Sequence, residues 1–144
     1  VTSTARRTGP GRLGERIAAG GLPAEVRELA DTFNLMLGRL VRREVLELSL
    51  FTFKYIGGID NVIAFMPTVQ GAQPSVVYLR RSDLNAALGQ PLDKTLSPKT
   101  PLPDTIPARE VRTVDATTES RVFPFSVVQT QFGDVAMVLK PLSA

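Results

Sequence analysis

Residues Leu46–Ile56 read LELSLFTFKYI, and the reading of that stretch sets the architecture of the chain. It is rich in aromatic and β-favouring residues, and Gly57-Gly58 follow it as a turn would. These features predict a strand over Leu46–Ile56 that pairs back with a second strand at Asn61–Met66, NVIAFM.

Toward the N-terminus the pattern changes. Pro23–Leu40 reads PAEVRELADTFNLMLGRL, in which Val26, Leu29, Ala30, Phe33, Met36, Leu37 and Leu40 recur at spacings of three and four. That spacing lays them in one stripe along a helix, running from about Pro23 to about Arg43. Pro23 suits the first helical turn, where its missing N–H costs nothing. Glu25 and Glu28 near the start, and Arg39, Arg42 and Arg43 near the expected end, complement the helix dipole. A short helical segment is also expected over Arg12–Ala19, ended by Gly20-Gly21.

Toward the C-terminus, Pro67–Pro74 reads as a loop and Ser75–Arg80 as a strand. Ser82 is placed to cap a short helix through Leu88, burying Leu84, Ala87 and Leu88. Residues 89–108 carry five prolines and read as an extended surface loop or linker. Three further strands are expected at Arg109–Asp115, Arg121–Thr130 and Asp134–Leu139, the last two joined by Gln131-Phe132-Gly133. The fold class is then α+β: an N-terminal amphipathic helix followed by a mainly antiparallel sheet of five or six strands with one short helix. Three units follow: a flexible basic tail at 1–11, a helical dimerisation or linker segment at 12–45, and a β-rich domain at 46–144.

Composition narrows the chemistry. The 144 residues include neither cysteine nor histidine. Disulfides, thiol nucleophiles and thiolate metal sites are excluded, as is the commonest general base and metal ligand near neutral pH. No catalytic residues, metal or cofactor are expected. The acids at Asp60, Asp83, Asp93, Asp104, Asp115 and Asp134 sit beside turn residues, where water keeps carboxylates near their usual state. An enzyme using carboxylate or lysine chemistry is the third-ranked reading.

Charge supplies the second-ranked reading, a basic nucleic-acid-binding protein. Residues 1–45 hold eight arginines against five acids, whereas residues 46–144 balance nine against nine. Arg6, Arg7 and Arg12 are weak candidates for anion binding, as are Arg80 and Arg81 beside Ser82 at a helix start. Phe51, Phe53, Tyr55, Phe65, Phe123, Phe125 and Phe132 would stack bases if they faced solvent beside arginines, and buried rings would argue for core packing instead. No apolar run is long enough to span a membrane, and the first ten residues do not resemble a signal peptide. A cytoplasmic location is expected.

The helix carries the most specific signal. Glu25, Leu29, Ala30, Phe33, Asn34, Met36, Leu37 and Leu40 resemble the ELxxLAxxFNxML pattern of the second helix of a HAMP linker, with Val26 at the first Leu position. The preceding GRLGERIAAGGLP, Gly11–Pro23, is similar to the connector leading into that helix, so the resemblance covers residues 11–41. HAMP linkers relay signals in bacterial sensor proteins through a parallel four-helix coiled coil formed by a dimer. The resemblance implies that Val26, Leu29, Phe33, Met36 and Leu40 bind a partner as core knobs. It departs from the family in lacking a preceding membrane helix and a following histidine-bearing helix. The leading reading is a non-catalytic signalling or interaction module. Its amphipathic helix, coupled to a β-rich ligand- or partner-binding domain, would form a homodimer or dock a partner protein, with nucleic acid ranked behind.

Overall fold

The N-terminal helix does not stop at Arg43. In the computed structural model, which describes residues 23–68 and 71–141, α1 runs unbroken over Ala24–Tyr55, 32 residues and about 48 Å at the usual rise. The expected strand at Leu46–Ile56 is therefore the last third of a helix. The reason lies in two apolar faces that interleave. Leu46, Leu50 and Phe53 lie on one face and are buried, while Leu48, Phe51 and Tyr55 lie on the other and are exposed. Residues two apart in a helix sit about 200° apart around its axis, so two opposed helical stripes mimic the alternation of a strand.

Gly57-Gly58 is the expected turn, with Gly58 at φ +80°, but it joins a helix to a strand. β1 (Asn61–Phe65) pairs antiparallel with β2 (Ser75–Arg80) from Asn61 opposite Arg80 to Phe65 opposite Val76. These two strands fall where the sequence places them. A 3₁₀ turn at Arg81–Leu84 and the one-turn α2 (Asn85–Leu88) follow. Ser82 does not cap this segment. The Asp83 carboxylate accepts the Arg80 N–H at 2.9 Å, and Leu84 alone of the three expected apolar residues is fully buried.

The proline-rich stretch contains one further 3₁₀ turn, Leu92–Lys94, and buries Thr95 and Leu96. The expected strand at Arg109–Asp115 is also a helix, α3 (Ala108–Thr118). Its buried residues Glu110, Val114 and Thr118 recur every four positions. Only one of those three is aliphatic, so apolar periodicity does not reveal the helix. A 3₁₀ turn (Glu119–Arg121) leads into β3 (Val122–Gln129), which forms a hairpin with β4 (Val135–Leu139) through a turn containing Gly133 at φ +87°.

Among the described residues, four strands in the order β1-β2-β3-β4, all antiparallel, replace the expected five or six; both lost strands are helical. The fold class remains α+β. The described helices pack on one face of the sheet. Leu46, Leu50 and Phe53 from α1 and Val114 from α3 meet Val77 and Leu79 of β2, with Leu84 and Leu96 closing the core. β3 meets β2 over three residue pairs, and its outer half pairs with β4 alone.

Candidate functional site

Three arginines near the midpoint of α1 form the most elaborate polar cluster among the described residues. Arg43 is fully buried. It donates from Nε to Glu110 Oε2 on α3 at 3.0 Å, from Nη1 to Glu47 at 3.0 Å and from Nη2 to the Ser97 carbonyl at 2.8 Å. Glu110, 2% exposed, completes its shell with the Ser97 N–H. A buried ion pair persists only when both charges are hydrogen-bonded this fully. One side chain thereby ties α1, the proline-rich segment and α3 together.

The neighbouring arginines extend the clamp. Arg39 grips Asp115 as a fork, Nε to Oδ1 at 3.2 Å and Nη2 to Oδ2 at 3.0 Å. Arg42 reaches Asp115 Oδ1 and Thr118 Oγ1, both at 3.0 Å. These three residues do not merely complement a helix terminus. Arg42 and Arg43 lie mid-helix and are buried against a second helix. Their partners stand 54 to 76 positions away in sequence, apart from Glu47 and the adjacent Glu44.

The clamp alters its acids. Partial burial disfavours the Asp115 carboxylate, but the hydrogen bond and charge of Arg39, with Arg42 behind them, outweigh it and hold the pKa below the usual 3.8. Asp83 behaves likewise: burial opposes its ionisation, and Arg80 and Arg121 overcome it. Both acids therefore differ from the near-normal state expected from their neighbours in sequence. A carboxylate with a lowered folded pKa stabilises the fold fully above the unfolded value and loses that contribution as pH falls through the folded one. The urea midpoint should hold steady down to about pH 5 and drop as pH falls past 3.8. Asp115→Asn should flatten part of that acid slope, and an unchanged slope would show that the Asp115 pair contributes nothing.

The sequence-derived site residues are scattered by comparison. Val26, Leu29 and Phe33 are exposed on α1, and Met36 and Leu40 are half-buried. Arg6, Arg7 and Arg12 lie outside the described residues. Arg80 is held by Asp83, with Nη2 to Oδ1 at 3.0 Å. Arg81 points into the protein, donating to the carbonyls of Phe53, Ile56 and Ile59 and to Asp60, with its guanidinium 5.2 Å from the Phe53 ring centroid. It caps the C-terminus of α1, with four of its five N–H donors engaged within the fold rather than presented to an anion.

The aromatic residues divide. Phe53 is core, whereas Phe51, Tyr55, Phe65 and Phe132 face solvent. Phe65 meets Phe125 edge to face at 5.4 Å on the sheet face that the described helices leave uncovered. By the strand register, that face carries Arg80 as its one charged residue, already paired with Asp83. Exposed rings without cations lack the phosphate attraction on which nucleic-acid affinity rests.

Beside the clamp lies a cleft of about 390 Å³ between α1 and the segment Pro91–Pro98. Leu50, Leu92 and Leu96 line it with Phe51 and Tyr55, whose centroids are 5.9 Å apart, and Glu47, Lys54, Asp93 and Ser97 supply polar groups. Among the described residues no cluster of acids could hold a metal ion, and no helix is long and apolar enough to cross a membrane.

Residues 1–42 match the HAMP domain family model, in agreement with the resemblance read from the sequence. The match ends one residue before Arg43. No curated protein and no solved structure matches the chain.

Proposed function

We propose that the chain is a signalling relay in which α1 carries a change from the HAMP segment directly into the α+β domain. The observation that carries this reading is the continuity of α1. It runs from inside the matched segment to Tyr55 without interruption, and it is bolted to α3 at the boundary by Arg39, Arg42 and Arg43. A rotation or tilt of such a helix cannot be absorbed in a linker. It must repack the clamp or move α3, and packed interfaces of this kind shift between discrete arrangements. The division of labour follows: residues 12–45 associate and relay, and the region after 45 responds.

The HAMP match also supports association, since HAMP domains typically act as dimers. Val26, Leu29 and Phe33 of the proposed seam face solvent. The core draws on Val45, Leu46, Leu50 and Phe53 of α1, well C-terminal to the exposed Val26, Leu29 and Phe33, so two copies can meet through those three without disturbing it.

Phe33→Glu should convert the dimer to a monomer while leaving the sheet folded, because Phe33 is 37% exposed and a carboxylate there retains water. Sedimentation at high micromolar concentration checks the assembly, and circular dichroism checks the fold. The lack of native cysteine permits a second test. The single variants Val26→Cys and Phe33→Cys should each cross-link between copies, and Thr32→Cys, off the stripe, should not. A wild-type monomer overturns the dimeric seam.

A further inference from the structure

We propose that the cleft between α1 and Pro91–Pro98 binds a small organic amine with an apolar body, and that Arg43 reads its occupancy. The coupling half of this inference rests on the relay proposed above; the binding half does not.

The volume, about 390 Å³, falls in the range of ligand sites. Leu50 and Leu96 form a floor that is already buried, while Phe51 and Tyr55 leave their rings open to solvent at one wall. Side chains of that size on a helix flank ordinarily cover apolar surface, and here they frame an opening. The charges at the opening set the class of ligand. Asp93 carries no cation partner among the described residues, and Glu47 engages Arg43 through Oε2 alone. Among the described residues the one cation of the lining, Lys54, is turned to the Gln90 carbonyl at 3.0 Å. Two carboxylates and two aromatic rings lining one cleft attract an ammonium group by charge and by the ring quadrupoles. The apolar floor takes the rest of the molecule. An anionic ligand would meet both carboxylates and is disfavoured.

The cleft and the clamp share two residues. Glu47 and Ser97 line the cleft, and both accept hydrogen bonds from Arg43. Ser97 also donates its N–H to Glu110. An ammonium drawing on Glu47, or a body pressing on Ser97, therefore acts on the group that locks α1 to α3.

The test uses the full chain and three probes of one shape: 2-phenylethylamine, the neutral 2-phenylethanol and the anionic phenylacetate, each titrated to millimolar concentration and followed by NMR. The amine should bind saturably and about tenfold more tightly than the alcohol, and phenylacetate should be weakest. Asp93→Asn and Tyr55→Ala, both at exposed positions, should each weaken the amine severalfold while the spectrum of the folded protein persists. Equal affinity for amine and alcohol overturns the cation site, and saturation by none of the three overturns the cleft as a binding site. The Arg43 Nε–H resonance should shift with amine occupancy. Binding that leaves it unmoved overturns the coupling alone, and the cross-linking of Val26→Cys and Phe33→Cys still judges the dimeric seam separately.

Discussion

Glu110→Ala is expected to destabilise the protein by about 3–5 kcal/mol, the cost of leaving a buried arginine without its carboxylate. Arg43 would keep Glu47 and the Ser97 carbonyl, but the Nε–H would face an apolar interior, and the Ser97 N–H would lose its acceptor as well. Urea unfolding measures the loss. Asp115→Ala provides the scale, because Asp115 is partly exposed and water can replace it; a cost nearer to about 1 kcal/mol is expected there. The double variant Arg43→Met, Glu110→Leu removes both charges together and should cost less than Glu110→Ala alone. Should Glu110→Ala prove no worse than Asp115→Ala, Arg43 is not the locked centre of the clamp.

These variants also separate stability from coupling. A hydrophobic pair in place of Arg43 and Glu110 can hold α1 against α3, yet it has no directed bonds to Glu47 and Ser97. The double variant should fold and still lose any response of the helix junction to a ligand in the cleft. That combination would mark the buried charges as a device for signalling rather than for stability.

This centre is invisible in the sequence for a specific reason. Arg39, Arg42 and Arg43 look like a basic helix end when read locally, and their α3 acids lie 67 to 76 positions away. Nothing in REVRTVD, Arg109–Asp115, shows that Glu110 faces inward, since a buried glutamate breaks the apolar pattern that would otherwise reveal a helix. The strands are legible because each has clear punctuation. Ser75–Arg80 is flanked by Pro74 and a 3₁₀ turn, and β3 and β4 border a glycine hairpin. The HAMP-like helix is legible from its single stripe. Where α1 enters the domain, a second stripe appears on its opposite side. The sum of the two reads as aromatic strand rather than helix. The misreading thus marks the place where α1 serves both a core and an exposed surface.

That dual role makes Leu48 the most decisive position for the helix itself. Leu48 lies mid-way between Arg43 and Phe53 and is 57% exposed, so replacing it disturbs little packing. Leu48→Pro should cost about 3 kcal/mol, because proline removes the hydrogen bond to the Glu44 carbonyl and its ring clashes with that group. Leu48→Ala should change stability by only a few tenths of a kcal/mol, since alanine sustains a helix and no cavity forms. An exposed position on an edge strand would show the reverse ranking, with proline tolerated and alanine disfavoured. Chemical unfolding and helical circular dichroism of the two variants distinguish the cases. The proline variant has a further consequence if it stays folded. It breaks α1 between Glu47 and the cleft residues Leu50, Phe51 and Tyr55, so amine binding should weaken, while Arg43, held by Glu110 and Glu47 on the clamp side, should keep its Nε–H resonance. Unchanged amine binding through a broken helix would mean that Phe51 and Tyr55 do not form the wall the amine uses.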